Sequence, residues 1–126
     1  MLEVGIKGYK ELVVTIEDSA LYFESGELEV LATPRIVTLV EETAYKSISD
    51  KLEVNESTVG TKVDLKHIAA TPIGMKVICE TELIEIDRRR LVFSFTVKDE
   101  KEVIAEGIHE RFIIDKEKFL NKVNTK

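Results

Sequence analysis

The stretch TPRIVTLVEETAYKSI (residues 33–48) decides the fold that this sequence predicts. Its apolar residues recur at helical spacing, and one face holds Ile36, Val37, Val40, Ala44, Ser47 and Ile48. Thr33 is a suitable N-cap residue, and Pro34 suits the first helical position because its missing N–H has no partner there. The pattern therefore predicts one amphipathic helix that begins at residue 34 and ends at about residue 50.

The chain on both sides of this helix has β character. Before it, residues 7–16 predict a first strand, and residues 17–31 predict an irregular segment with one helical turn at 19–23. After it, short turns join four more predicted strands, at 58–70, 75–86, 90–98 and 102–114. The alternation slips near Leu83-Ile84, which indicates a β-bulge. Residues 115–124 predict a polar terminal helix.

This order of elements predicts an α+β fold with two layers. Short turns favour antiparallel neighbours, and the apolar face of one helix needs a sheet to cover it. We therefore expect a hotdog fold, in which a five-stranded antiparallel sheet wraps a long central helix, although the pattern also fits other α+β sandwiches. At 126 residues, the chain fits a single domain over residues 1–126.

Composition limits the classes of function. Twenty-four acidic and eighteen basic residues give a net charge of −6, which argues against general nucleic-acid binding. The single cysteine, Cys79, permits no intrachain disulfide, and with only two histidines we expect no metal site. No signal-peptide pattern or apolar run of about 20 residues occurs, so we expect a cytoplasmic protein with no membrane partner.

Helical geometry places the two adjacent acidic residues of the predicted helix at different positions around its axis. At about 100° per residue, Glu41 lies on the shoulder of the apolar face, about 140° from Ile36, and Glu42 points away at about 240°. We interpret Glu42 as a solvent-exposed residue. Two interpretations of Glu41 remain open: a boundary carboxylate paired with a lysine, or a functional carboxylate.

Other candidates each have a structural and a functional interpretation. His67 shares the strand face of Val59, Val63 and Leu65, where it is a hydrogen-bonded core residue or half of a carboxylate–imidazole pair with Glu41. Thr33 is a helix cap or part of an oxyanion site at the helix N-terminus. Gly60 would let a ligand carbonyl approach the backbone.

Two arginine positions are candidates for substrate contact. Arg88 and Arg89 lie in a cationic turn, which is either solvated or a dock for the phosphates of coenzyme A. Arg111 follows His109 and Glu110 in a largely apolar strand, so we expect one of these three side chains to point inward. The alternative is an ion pair on the outer face of the sheet.

These residues resemble a known family. The stretch ATPRIVTLVE (32–41), the glycine of Gly60-Thr61, the motif HIAATPIG (67–74), and the segments RRRL (88–91) and GIHER (107–111) are similar to motifs of the fluoroacetyl-CoA thioesterases. The resemblance covers roughly residues 30–123. Two features depart from the family pattern. Pro34 replaces a glycine, and segment 17–31 is shorter than the family's lid-like region, with Tyr22 and Phe23 as its aromatic residues.

The resemblance implies a hotdog homodimer or tetramer whose sites lie at the subunit interface and which hydrolyses a short-chain acyl-CoA without a cofactor. It makes Thr33, Glu41 and His67 catalytic, has Gly60 polarise the thioester carbonyl, and ties Arg111 to the acyl group. Fluoroacetyl specificity is not predicted. Whether Glu41 is a nucleophile or a base is open. Thr33 and Glu41 lie about 12 Å apart along a regular helix and cannot touch. Three explanations remain open: Thr33 lies on a non-helical segment that folds back, the substrate bridges the two residues, or a neighbouring subunit supplies one of the groups.

Two rival functions are weighed against hydrolysis. A non-catalytic module would bind or sense acyl-CoA without turnover. A hydratase or dehydratase of the same fold would pair an Asp with a His a few residues later on a helix. That pairing is absent, because His67 lies on a predicted strand.

Overall fold

The computed structural model describes residues 1–126. Its elements in chain order are β1 (Lys7–Val13), α1 (Thr33–Ile48), β2 (Glu56–His67), β3 (Lys76–Asp87), β4 (Arg90–Lys98), β5 (Val103–Asp115) and α2 (Lys116–Val123). Single 3₁₀ turns lie at Ile16–Asp18 and Ser49–Lys51. All the predicted helices and strands are present. The largest boundary errors fall at the ends of β1 and β2, which stop before the predicted residues 16 and 70.

The five strands form one antiparallel sheet in the order β1-β3-β4-β5-β2. Because α1 follows β1 and leads into β2, it connects opposite edges of the sheet and must cross its inner face. A long helix enclosed by a curled antiparallel sheet is the hotdog arrangement, and this prediction is confirmed. Neither helix has the length and apolar composition needed to cross a bilayer.

The face of α1 that packs on the sheet differs from the predicted one. Its buried residues are Ile36, Leu39, Val40, Thr43, Ala44 and Ile48. Val37 and Ser47, which were predicted on this face, are only half-buried. Thr43 was missed because a polar residue does not count in a hydrophobic pattern. Its hydroxyl donates to the Leu39 carbonyl at 2.7 Å, and this bond lets it be buried at low cost.

The inner face of the sheet supplies the other half of the core. Fully buried residues on β3 and β4 include Val77, Cys79, Leu83, Phe93 and Val97. The Cys79 thiol lies in the larger cluster, against the first half of α1. Burial raises the pKa of this thiol to about 11, and a hydrogen bond with Thr43 offsets only part of that rise.

Three register shifts interrupt the strand pairing, and only one was predicted. One lies near the end of β4, between Val97 and Lys98. The register shift between Leu83 and Glu85 confirms the bulge expected in β3. The third shift, in β2, separates Gly60, which pairs with Arg111, from Lys62, which pairs with Glu110. This extra residue reverses the alternation. The prediction that Val59 shares the inner face with Val63, Leu65 and His67 is therefore wrong. Gly60 lies on that face instead.

A closed loop precedes α1 and leads directly into the site. Ala20 donates to the Val30 carbonyl at 2.8 Å, and Leu31 donates to the Thr71 carbonyl at 2.9 Å. The predicted helical turn is present, since the Phe23 N–H donates to the Ser19 carbonyl at 3.1 Å. These bonds place residue 33 beside the segment that follows β2.

Candidate active site

The first part of the site is a hydroxyl–imidazole pair at the start of α1. Thr33 Oγ1 lies 2.7 Å from His67 Nδ1. The prediction that Thr33 caps the helix is wrong. Thr33 is the first helical residue, Ala32 occupies the cap position without a side-chain bond, and Pro34 is the second helical residue. The Thr33 hydroxyl is thus free to bind the histidine at the end of β2.

The other ring nitrogen of His67 has no partner. Nε2 is buried, yet no donor or acceptor of the chain lies within hydrogen-bonding distance. A buried polar atom without a partner is expensive, and the great majority have one. The imidazole therefore holds one hydrogen bond to Thr33, and the hydrogen-bonding capacity of its second nitrogen is unused within the chain.

The second part of the site surrounds Gly60 in β2. Glu41 Oε2, in the middle of α1, lies 4.0 Å from Arg111 Nη1 on β5. A methyl group added to Gly60 would lie 2.5 Å from Glu41 Oε2 and 3.3 Å from Arg111 Nη1. The glycine thus leaves open the space that the carboxylate and the guanidinium border.

Arg111 is a buried cation, only 6% exposed. Its Nε donates to Thr58 Oγ1 at 2.8 Å and its Nη2 to the Thr58 carbonyl at 3.0 Å. The guanidinium carbon lies 5.9 Å from the centre of the Tyr45 ring. Burial holds the pKa of Arg111 below its ordinary value, although the negative charge of Glu41 opposes this shift. These bonds hold Nε and Nη2, and Nη1 faces Glu41.

Two side chains of the 109–111 segment point inward, where one was expected. His109 is fully buried and its Nε2 lies 3.1 Å from Arg111 Nη1. Glu110 points outward and pairs with Arg90 at 2.9 Å, which is the outer-face ion pair that the sequence also suggested. His109 was not among the predicted site residues. The sequence could have indicated His109, because residues 109 and 111 are two positions apart on a strand and therefore point to the same face.

Glu42 is not the solvent-exposed residue that the helical geometry indicated. Its carboxylate accepts from Lys10 Nζ at 3.1 Å and from Arg35 Nη1 at 3.3 Å. Partial burial by itself raises the pKa of Glu42, but these two cations outweigh it and hold the pKa below its ordinary value. Glu42 therefore ties α1 to the edge strand β1, and the neighbouring Glu41 has no such partner.

The arginine turn lies at the outer end of the sheet. Asp87, Arg88, Arg89, Arg90 and Phe112 line a surface pocket of 410 Å³. Arg88 is exposed, adopts a φ of 59°, and forms no ion pair. Arg89 donates to the Ile113 carbonyl at 3.3 Å and lies 3.5 Å from Glu56. Two cations beside an open pocket can receive a phosphate.

The two parts of the site are separate within one chain. Seven residues of β2 divide Gly60 from His67, a span of about 20 Å at the usual rise of a strand. Thr33 and Glu41 lie about 12 Å apart along α1. Because Thr33 is itself helical, a fold-back of the chain before the helix does not bring it to Glu41. No three His, Cys, Asp or Glu side chains cluster as a metal site would require.

Comparison with known proteins identifies the family. Residues 14–117 match the fluoroacetyl-CoA-specific thioesterases. The fluoroacetyl-CoA thioesterase of Streptantibioticus cattleyicolor is 38% identical over 110 residues, which cover 84% of this chain and 79% of that protein. A solved structure of a fluoroacetyl-CoA thioesterase superposes with a TM-score of 0.93 at 35% identity, over 100% of this chain and 98% of the other.

Two further structures extend this similarity. A variant of the fluoroacetyl-CoA enzyme in complex with acetyl-CoA matches with a TM-score of 0.93 at 30% identity over 98% of each chain. A thioesterase-superfamily protein of Thermus thermophilus matches with a TM-score of 0.92 at 26% identity, over 99% of this chain and 93% of that one. The chain therefore belongs to the fluoroacetyl-CoA-specific thioesterase family of acyl-CoA thioester hydrolases.

Proposed function

We propose that this protein hydrolyses a short-chain acyl-CoA to the free acid and coenzyme A, with Thr33, His67 and Glu41 as its catalytic residues. The observation that carries the proposal is the 2.7 Å contact between Thr33 Oγ1 and His67 Nδ1, together with the unpartnered His67 Nε2. A hydroxyl bonded to an imidazole is an activated nucleophile when a third group orients the ring. Within one chain, that third group is missing.

A homodimer supplies it. Strand β2 lies at an edge of the sheet and spans Glu56–His67, and a long unpaired edge is a template for another strand. A two-fold antiparallel pairing of β2 with its copy, centred between Val63 and Asp64, would place His67 opposite the partner subunit's Gly60. Glu41 lies beside Gly60 in each chain. The partner subunit's Glu41 would then approach the free nitrogen of His67.

The proton positions follow from this arrangement. The carboxylate accepts the Nε2 proton of His67, so Nδ1 carries the lone pair and accepts the Thr33 hydroxyl proton. The Thr33 oxygen attacks the thioester carbon, the proton passes to Nδ1, and the departing coenzyme A thiolate takes it up. Water, deprotonated by the same imidazole, then attacks the carbonyl carbon of the threonine ester, and the imidazole returns the proton to the departing Thr33 oxygen, which releases the free acid. Arg111 Nη1 and the open face of Gly60 border the space where the acyl group would lie.

The assignment is tested with a panel of short acyl-CoAs and detection of the released thiol. Thr33→Val, His67→Ala and Glu41→Gln should each lower kcat/KM by a factor of about 10³ or more. Thr33→Ser keeps a hydroxyl and should retain most activity. Glu42→Gln is the matched control for Glu41→Gln, because it removes the adjacent charge from an ion pair outside the site. Full turnover in His67→Ala or Glu41→Gln would reject these roles.

Binding without turnover is the informative alternative outcome. If the wild-type protein binds acyl-CoA saturably but releases no thiol from any acyl group, it is the non-catalytic binding module. If Thr33→Val alone retains turnover, water is the nucleophile and Thr33 has no covalent role.

We also propose that Arg88 and Arg89 contact the phosphates of coenzyme A. The supporting feature is the 410 Å³ pocket at the β3–β4 turn, where Arg88 has no carboxylate partner. Replacing both with Ala should raise KM for an acyl-CoA roughly tenfold and leave kcat nearly unchanged. The same variant should show no change with an acyl-N-acetylcysteamine thioester, which carries no phosphate. Lys98→Ala, which removes a cation that pairs with Glu80 and does not line this pocket, is the control. An equal effect on both substrates would contradict phosphate binding.

A further inference from the structure

We infer that His109 is a positioning residue, held neutral with its proton on Nδ1, which aims Arg111 Nη1 at the space above Gly60. The inference deepens the proposed function, because that space is where the acyl group would lie. His109 does not itself face the reacting atoms, so its effect on the reaction passes through Arg111.

Both ring nitrogens of His109 are occupied. Nδ1 lies 2.8 Å from the carbonyl oxygen of Lys62, at the bulge in β2. Nε2 lies 3.1 Å from Arg111 Nη1. The ring stacks on Phe93 of β4, with the ring centres 6.2 Å apart and the planes at 29°. His109 is 0% exposed, so no water competes for either nitrogen.

The partners dictate the tautomer. A guanidinium has only donors, so Nε2 must accept and carries no proton. A carbonyl has only lone pairs, so Nδ1 must donate. The single state that satisfies both contacts is the neutral Nδ1–H form. A protonated ring would set its Nε2–H against an Arg111 N–H, and two buried cations would face each other.

The surrounding charges favour the same state. Arg111 is the cation in contact, and the nearest carboxylates, Glu41 on α1 and Glu110 on β5, form no hydrogen bond to the imidazole. Burial lowers the pKa of His109, the Lys62 carbonyl opposes this, and Arg111 lowers it again. The ring therefore serves as a fixed acceptor at neutral pH.

The acceptor completes the hold on Arg111. Thr58 binds Nε and Nη2, and His109 binds one proton of Nη1. Nη1 also lies 4.0 Å from Glu41 Oε2, across the opening left by Gly60. Without the His109 acceptor, only Thr58 would hold the guanidinium, and its plane could tilt and carry Nη1 away from this opening, since the contact of Nη1 with Glu41 is too long to hold it.

Three substitutions separate positioning from packing. His109→Gln presents an oxygen near the position of Nε2 and should keep kcat/KM within a few-fold of wild type. His109→Asn keeps a donor near Nδ1 but loses the acceptor, and His109→Leu loses both. These two should lower kcat/KM by roughly tenfold to a hundredfold, mainly in kcat. His109→Gln should also keep its activity to a lower pH than wild type, because any loss of activity caused by protonation of His109 disappears in this variant.

The tautomer is measured without any turnover. In a His67→Ala variant, His109 is the only histidine, and long-range ¹⁵N–¹H correlation spectra report which nitrogen carries the proton. We expect protonated Nδ1 and bare Nε2 at neutral pH. A protonated Nε2, or equal losses in Gln, Asn and Leu variants that remain folded by thermal melting, would overturn the inference. Absence of hydrolysis in the wild type would instead reject the proposed function. The spectra would still show which nitrogen of His109 carries the proton, because they do not depend on turnover.

Discussion

The two histidines of this chain differ in how their ring nitrogens are used. His109 has both nitrogens bonded inside one chain, to a carbonyl and to a guanidinium. His67 has one nitrogen bonded to Thr33 and the other buried without a partner. A ring whose bonds are complete can hold a neighbour in place, whereas a ring with an open nitrogen can exchange a proton. In the proposed reaction, His109 therefore supports Arg111 and His67 transfers the proton.

The opening at Gly60 leads to a prediction about two glycines. Gly60→Ala should lower kcat/KM at least tenfold with little change in Tm, because the new methyl group comes closest to the movable end of the Glu41 side chain, at 2.5 Å, and lies 3.3 Å from Arg111 and His109. Gly8→Ala should do the reverse. Its methyl group would lie 2.9 Å from the Thr43 backbone carbonyl, which cannot move without disturbing α1, so about 2 kcal/mol of stability is lost. Kinetics and thermal melting of both variants test this, and equal loss of activity per folded molecule would contradict it.

The buried state of His109 predicts a pH dependence of stability. Between the ordinary imidazole pKa, about 6.5, and the lower pKa of His109 in the fold, the unfolded chain binds a proton that the folded chain does not. The free energy of unfolding should therefore fall as pH decreases through that window. His109→Gln should show a smaller decrease. Urea denaturation of both proteins at a series of pH values measures the difference, and parallel curves would contradict the prediction.

Candidate residues could be found in the sequence, but their partners could not. The shoulder position of Glu41 and the strand face of His67 follow from helical and strand periods, and the structure places both side chains at the inner surface. The contacts of Thr33 with His67, and of Glu41 with Arg111, span 34 and 70 positions of the chain. No local period encodes such pairings, because they depend on how the sheet folds around the helix.

At the scale of elements, one extra residue in β2 determines the site. The bulge between Gly60 and Lys62 brings Gly60 to the inner face, opposite Arg111. Without it, Val59 would occupy that face and its side chain would fill the opening. The sequence predicted the bulge in β3, where an apolar pair breaks the alternation. It could not predict the one in β2, because glycine and threonine carry no clear preference for either face.

The ion pairs of Glu42 predict a role in joining elements. Glu42→Gln should lower the free energy of unfolding by about 0.5 kcal/mol, since the carboxylate is a third exposed and solvent screens its bonds to Lys10 and Arg35. Its pKa is lowered in the fold, so this contribution is present above the ordinary carboxylate pKa and is lost as pH falls below it. Urea denaturation at pH 7 and pH 3 measures it. A variant that differs from wild type more at pH 3 than at pH 7 would contradict this assignment.

At the scale of the whole molecule, the proposed site needs two chains. A single chain keeps Thr33 and His67 at one end of β2 and Glu41 near the other. Two-fold pairing of the edge strands would unite them twice per dimer. The dimer would also cover the exposed edge of β2, which otherwise remains open to unspecific strand pairing.

Mixing two inactive variants tests this arrangement. Glu41→Gln retains an intact Thr33 and His67, and His67→Ala retains an intact Glu41. If both subunits contribute, a heterodimer of the two contains one complete site. Random exchange in an equal mixture should then restore about a quarter of wild-type activity. Subunits exchanged in mild denaturant and assayed by thiol release provide the measurement. An inactive mixture in which mass spectrometry detects heterodimers would show that the site does not combine groups from two chains.

The burial of Cys79 matters in a protein whose substrates are thioesters. Only a thiolate attacks such an ester efficiently, and a group with a pKa of about 11 is almost entirely protonated at neutral pH. The side chain is also 0% exposed, so a bound acyl donor cannot reach it. The chain's one sulfhydryl is therefore protected from acylation and from oxidants alike, and it does not compete with Thr33 for the acyl group.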